Sequence, residues 1–323
     1  MAAPHVTGAW AVLREVGVLP SGAPPSVGTV LQSLQLTGKT ITAAGSPFPR
    51  IRILAASTRF KDTGFQTSVS SAPLPGGGIV SAGTGLTGGS GSLSLALPSG
   101  SAPVVAYLYW TTLGGPDTSA SLLTPSGTTV PLSGALRGAS VDTCQNVNQF
   151  EPLRTYRATV STSNITNGTY TVSGVGGGGI VTHGASLVVV HKAQYPTAAT
   201  PKAKVHLRDG ALTVAQYGWK ADLFPVPVPA GVTVQSATVH LGVANGTASG
   251  YDLTRFASQI LGTSELTGGS GAKWDDKTYA LLPSELPAPG QLYSLDRGVY
   301  MQTTSNAPEC LGWAYQGLTF LYS

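Results

Sequence analysis

The run Val104-Val105-Ala106-Tyr107-Leu108-Tyr109-Trp110 is the strongest local constraint in this chain. β-Branched and aromatic side chains suit a pleated surface better than a helix. Pro103 on one side and Gly114-Gly115 on the other close the run, so it reads as a central strand. Shorter runs of the same kind recur on either side. Leu93, Leu95 and Leu97 alternate with small residues, and Leu122-Leu123 and Thr128-Thr129-Val130 flank a Pro125-Ser126-Gly127 turn. Tyr156 to Val160, Tyr170 to Val172 and Ala185 to Val190 follow, then Lys204 to Arg208, which ends at an Asp209-Gly210 pair that predicts a hairpin turn. Val226 to Pro229 reads as an extended linker, and Val232 to Val234, Ala237 to Val243 and Trp313 to Leu321 read as the last strands. With 42 glycines and 23 prolines as punctuation, the pattern predicts a mainly β chain. The expected architecture is two tandem antiparallel β-sandwich or jelly-roll domains, over 57–196 and 197–323.

Charge and hydropathy exclude several classes of function. Charged residues make up 10% of the chain, against roughly a quarter in an ordinary soluble protein. The net charge of +4 reflects scarce acids rather than a basic patch. The densest basic run is Pro49-Arg50-Ile51-Arg52, so nucleic-acid binding is not expected. No stretch of 18 apolar residues predicts a membrane span, and the first residues lack the charged start and apolar core of a signal peptide. Cys144 and Cys310 are too few for a metal site but enough for one disulfide, which would belong in an oxidising compartment. Two buried free thiols are the alternative.

The first eight residues, Met1-Ala2-Ala3-Pro4-His5-Val6-Thr7-Gly8, carry a specific resemblance. They are similar to the segment that follows the nucleophilic serine in subtilisin-like serine proteases, Met-Ala-x-Pro-His-Val-x-Gly. The reading of the residues agrees with that. Pro4 suits a first helical turn, Val6, Ala9, Trp10, Leu13 and Val16 recur at helical spacing, and Gly17 stops the helix. After a Pro/Gly/Ser linker, Ser26 is a candidate N-cap for a second helix with Val27, Val30, Leu31 and Leu34 on one face and Gly38 at its end. Thr37 to Ile41 and Pro49 to Ala56 resemble the last segments of a subtilase domain. The resemblance thus covers 1–56 and implies a two-helix remnant of an α/β subtilase domain.

It also implies that the chemistry lies elsewhere. The serine would immediately precede Met1, and the aspartate, histidine and oxyanion-hole asparagine would lie earlier still, so no catalytic residue is expected within these residues. Met1, Pro4 and His5 are structural in the family pattern, with His5 a packing residue rather than a general base, which needs a serine and an orienting carboxylate beside it. Asp62-Thr63-Gly64, His183-Gly184-Ala185 and Gly262-Thr263-Ser264 imitate the three triad signatures. However, Ser264 is followed by Glu265-Leu266-Thr267, not by a helix-forming segment, and no βα alternation supports a parallel sheet.

The remaining candidates are weaker. Asp275 and Asp276 adjoin, so on a strand they would face opposite ways; a turn or a Ca²⁺ ligand is the expectation, and no other cofactor is implied. Glu285 and Glu309 have no readable partner. His183, His191, His206 and His240 fall in or beside apparent strands without metal spacing. The tract Gly174 to Gly179 reads as a bend, not a phosphate cradle, because no Lys-Ser/Thr and no helix follow it. Asn164, Asn167 and Asn245 open glycosylation-like triplets, expected in loops.

From about residue 58 onward, Ala106 to Trp110, Gly184 to Val190, Leu207-Arg208-Asp209-Gly210, Trp274-Asp275 and Cys310 to Ala314 together look like adhesin-like β modules of bacterial surface and secreted proteins. That resemblance implies architecture more than activity. Two functions are therefore expected. One is the C-terminal portion of a secreted subtilisin-like endopeptidase, inactive without the preceding protease portion. The other is a non-catalytic extracellular module recognising carbohydrate or a partner protein, with Tyr109, Trp110, Trp219 and Trp274 as candidate stacking aromatics.

Overall fold

A computed structural model describes residues 39–43, 46–50 and most of 65–323, leaving out 114, 142–151, 178–179, 215–218, 224–227, 229–230, 249, 272, 287–297 and 304–309. The chain divides into two compact units, Met1–Gly64 and Phe65–Ser323. In the first, β1 (Lys39–Ala43) and β2 (Ser46–Arg50) form an antiparallel hairpin, paired from Lys39↔Arg50 to Ala43↔Ser46. The two helices expected before residue 38 lie outside the described residues, as do Met1, Pro4, His5, Asp62 and Cys144.

The second unit is built of strands. It opens with β3 (Gln66–Ser70), β4 (Leu74–Pro75), β5 (Gly78–Gly85), β6 (Gly91–Leu95) and β7 (Ser101–Leu113). The next are β8 (Ser119–Leu123), β9 (Thr129–Ser133), β10 (Ala135–Val141), β11 (Pro152–Val160), β12 (Gly168–Ser173) and β13 (Val181–Ala193). Then come β14 (Lys202–Val214), β15 (Trp219–Leu223), β16 (Val234–Ala244) and β17 (Asp252–Phe256). The last are β18 (Gln259–Thr263), β19 (Trp274–Ala280), β20 (Gly298–Thr303) and β21 (Leu311–Tyr322). Every pairing is antiparallel, and the helical elements among the described residues are three-residue turns. The protein is mainly β.

Four sheets organise these strands. A five-stranded sheet runs β10-β11-β7-β13-β5, with the Val104–Trp110 run at its centre, and a four-stranded sheet runs β6-β12-β8-β9. A six-stranded sheet runs β19-β16-β21-β14-β3, with β4 also on β14, and a second four-stranded sheet runs β15-β20-β17-β18. The expected boundary at 196/197 does not separate the sheets. β3 and β4, from the first expected region, pair with β14 in the second. Strand order is set by which edges meet in space, and a hydrophobic pattern does not encode it.

Each large sheet is buried on both faces, which explains its uninterrupted apolar strands. On β7, Ala106, Leu108 and Trp110 join Leu93, Leu95 and Tyr170 of the first four-stranded sheet in one core. Tyr109, on the other face, joins Val188, Val190, Val205, Leu207, Trp274 and Tyr315 in a second core shared by the five- and six-stranded sheets. A third core holds Val239, Leu241, Phe256, Met301, Trp313 and Phe320, between the six-stranded and the second four-stranded sheet. Trp110, Trp274 and Trp313 are fully buried. Each removes about 200 Å² from water, worth about 5 kcal/mol before ordering entropy is subtracted.

Asp209-Gly210 does not make the expected hairpin turn. Both residues lie inside β14, where the pairing with β21 slips between Asp209 and Leu212. The local cause is a bulge, which re-aims one side chain while the strand continues. Gly138 of β10 packs against it so closely that a Cβ there would stand 2.4 Å from the Ala211 amide nitrogen. The pair Asp-Gly suits either geometry, and only the continued pairing beyond Leu212 distinguishes them.

Candidate binding groove

The second four-stranded sheet turns one face to the interior and one outward. β17 reads Asp252-Leu253-Thr254-Arg255-Phe256, and its period of two buries Asp252, Thr254 and Phe256 while Leu253 and Arg255 point out. β20 does the same: Val299, Met301 and Thr303 are buried, and Tyr300 and Gln302 face outward. The antiparallel register then sets Leu253 opposite Gln302 and Arg255 opposite Tyr300, with Ile260 of β18 opposite Arg255 on the other side. These side chains line a shallow groove of about 500 Å³, bounded by Leu253, Arg255, Ala257, Tyr300, Met301 and Gln302. Ile260 is 59% exposed. Arg255 is the one charged residue among the described lining, and it forms no ion pair among the described residues. An aromatic ring, a planar amide and a guanidinium therefore converge on an open sheet face, a set that offers stacking area with hydrogen-bond donors and acceptors.

The interior carboxylates are engaged in holding the sheets together. Asp209, wholly buried, accepts from Tyr109 Oη at 2.9 Å, Arg137 Nε at 2.9 Å and Arg157 Nη1 at 2.7 Å. Arg157 also lies over the Tyr107 ring, 4.5 Å from its centroid. Tyr109 stacks on Tyr315 with centroids 4.9 Å apart, and Tyr315 Oη donates to Asp276 Oδ2 at 2.7 Å. Ser81 and Ser186 hydroxyls donate to the same carboxylate at 2.5 Å each. Burial raises the Asp276 carboxyl above its ordinary range, and these hydroxyls oppose the shift. Asp275 points the other way, accepting from the Gly268 and Gly269 amides at 2.8 and 2.9 Å. Asp252 accepts from the Leu266 amide at 3.1 Å, and burial raises it too.

Asp275 and Asp276 stand on β19 with diverging side chains, and among the described residues no three His, Cys, Asp or Glu side chains gather as metal ligands. His183 is buried on β13 with neither ring nitrogen bonded, and Ser264 sits exposed in a turn with φ of 52°. Glu285 is buried and accepts from the Ser258 hydroxyl, and Glu309 lies outside the described residues. Gly174 and Gly176 adopt φ of 74° and 89°, as a bend requires, and Gly176 donates its amide to Asp117 at 2.6 Å. Asn245 is buried and donates to the Cys310 carbonyl at 2.7 Å, so its amide is committed inside the fold. Cys310 is buried beside Leu113, Leu153, His183 and Thr213, around a void of about 10 Å³, room for one water.

Of the four candidate stacking aromatics, Tyr109, Trp110 and Trp274 are 0% exposed and serve the cores, which corrects that expectation. Trp219 lies on β15 in register with Gln302. The groove residues Tyr300 and Arg255 were not singled out from sequence. The alternation in 252–256 and 298–303 is the signal that would have placed them on an outer face.

No protein-family model matches the chain, and no curated protein matches it. Among solved structures, the crystal structure of PBCV-1 VP54 fitted into a cryo-EM reconstruction of the virophage Sputnik aligns at 10% identity, covering 79% of this chain and 95% of that one. Its TM-score of 0.16 carries no argument about fold or function. Among the described residues no helix is long and apolar enough to cross a membrane.

Proposed function

We propose that the chain is a non-catalytic extracellular module, two β-sandwiches packed back to back through their large sheets, that binds carbohydrate in the groove on β17 and β20. The observation that carries this reading is the set of outward residues there: Tyr300 beside Arg255, and Gln302 beside Leu253. A sugar ring has an apolar face of C–H groups and a rim of hydroxyls. A phenol ring covers the first, and the Gln302 amide engages the second. An open groove suits a chain-like ligand better than a small molecule that must be enclosed. The intact chain is expected to bind members of a glycan array and to lose that binding on Tyr300→Ala, with cooperative urea unfolding checking that the variant is folded. Silence across the array would reject the reading.

Residues 1–8 support a second reading of the chain as a whole, the trailing part of a subtilisin-like endopeptidase with this module as its accessory region. Since the family's catalytic residues have no counterpart in matching context, the chain alone is expected to leave casein intact. Turnover abolished by a serine-directed inhibitor would contradict that. A Cys144–Cys310 bond belongs with the same extracellular setting, and no free cysteine stands among the described residues. Thiol titration of the denatured, unreduced chain is expected to count no reactive groups; two would remove the bond. In the loop-entropy model such a bond restricts the unfolded chain by on the order of 4 to 5 kcal/mol.

A further inference from the structure

We propose that the groove selects acidic sugar chains, those carrying uronate carboxylates, and that Arg255 is the residue that reads the charge. This rests on the carbohydrate reading above and adds the class of sugar. Arg255 and Tyr300 are direct cross-strand partners on the outward face, so their Cβ atoms stand about 5 Å apart. That is about the width of one sugar ring, and a pyranose lying on the phenol presents its ring substituents to the neighbouring guanidinium. A carboxylate at that position meets the fork of N–H donors that matches its two oxygens, an arrangement an ammonium group or a neutral amide cannot reproduce.

The electrostatics point the same way. No Asp or Glu lines the groove among the described residues, and the acidic side chains of the adjoining strands are turned away and occupied. Asp252 faces inward to the Leu266 amide, and Asp222 pairs with Arg208 at 2.6 Å. Arg255 is exposed and carries its charge without an internal counter-ion among the described residues. One diagonal step along the ladder, about 7 Å on, Gln302 supplies neutral donors and an acceptor for the hydroxyls of the next ring. A neutral chain would satisfy Tyr300 and Gln302 and leave the guanidinium to water.

Isothermal titration of the intact chain with polygalacturonate and with neutral galactan tests this. Polygalacturonate is expected to bind at least about tenfold more tightly, the difference one charge-assisted hydrogen-bonded pair makes, and to weaken as salt is raised. Arg255→Ala is expected to erase that preference by lowering polygalacturonate affinity to that of galactan, and Arg255→Lys to restore only part of it. Because Arg255 is exposed, neither variant should move the urea midpoint. Equal affinity for the two polymers, or a preference that survives Arg255→Ala, overturns the charge selection while the groove remains a sugar site. Binding to neither polymer, together with a silent glycan array, overturns both.

Discussion

Replacing Asp209 with alanine is expected to lower the unfolding free energy by about 3–5 kcal/mol, the range for breaking one side of a buried ion pair. The Asp209 carboxylate ties three neighbouring strands to β14. It lies on the β14 bulge, wholly buried, and answers three donors: Tyr109 from β7, Arg157 from β11 and Arg137 from β10. Burial and the nearby carboxylate together keep the Tyr109 hydroxyl protonated far above its ordinary range, so it retains the proton it donates to Asp209. Alanine strands that hydroxyl and leaves two guanidinium groups, neither able to shed its charge, under 20% exposed. Asp209→Asn keeps the shape and one acceptor oxygen, so it should cost less. Urea unfolding with an unchanged m-value measures both. A loss under 1 kcal/mol for alanine would mean that the arginines escape to water freely and that the sheets are held by apolar contact alone.

That network also shows where reading the chain by pattern stops. Strands with an apolar run on both faces, β7, β13 and β21, announced themselves, because burial on two sides requires apolar residues at consecutive positions. The expectation of a turn at Asp209-Gly210 failed because the same dipeptide serves a bulge, and the deciding facts are pairings to β21 more than 100 residues away. The aromatics were misjudged for a related reason. Trp274 sits in a strand that looks half-exposed in isolation and becomes fully buried only when another sheet covers it, and Trp110, in a strand whose pattern already marks it as central, is equally buried. The groove was the least legible part. Tyr300 and Arg255 lie 45 positions apart, and nothing in either segment marks it as a site until the register of β17 on β20 sets them side by side.

Acidification from pH 7 to pH 4.5 is expected to destabilise the fold by several kcal/mol, and the histidines are the reason. Burial, as the leading cause, holds His183, His206 and His240 down to about 4 against an ordinary value of 6.5, and it lowers His191 as well. Neighbouring positive charge adds to this: Lys273 for His183, Arg208 and Lys204 for His206, and His191 for His240. Between 6.5 and about 4 the unfolded chain binds protons that the folded chain refuses, so stability is full above the upper limit and falls with pH through the window. Each histidine lowered to about 4 costs on the order of 3 kcal/mol by the lower limit, against the roughly 5–15 kcal/mol that hold an ordinary domain. Asp252 and Asp276 work in the opposite sense, since carboxyls raised by burial keep their protons in the fold above the pH at which the unfolded chain loses them. Their stabilising effect on acidification therefore sets in at the acid end of the window, and the upper half belongs to the histidines. Calorimetry across this range should show Tm falling by roughly 10 °C or more. His183→Leu, at a site lined by Leu113 and Leu153, should flatten part of that slope, because the substituted side chain fits the apolar wall and no longer titrates. A Tm that stays level from pH 7 to 4.5 would mean that these rings take up protons inside the fold, with water reaching them through routes the packed sheets do not display.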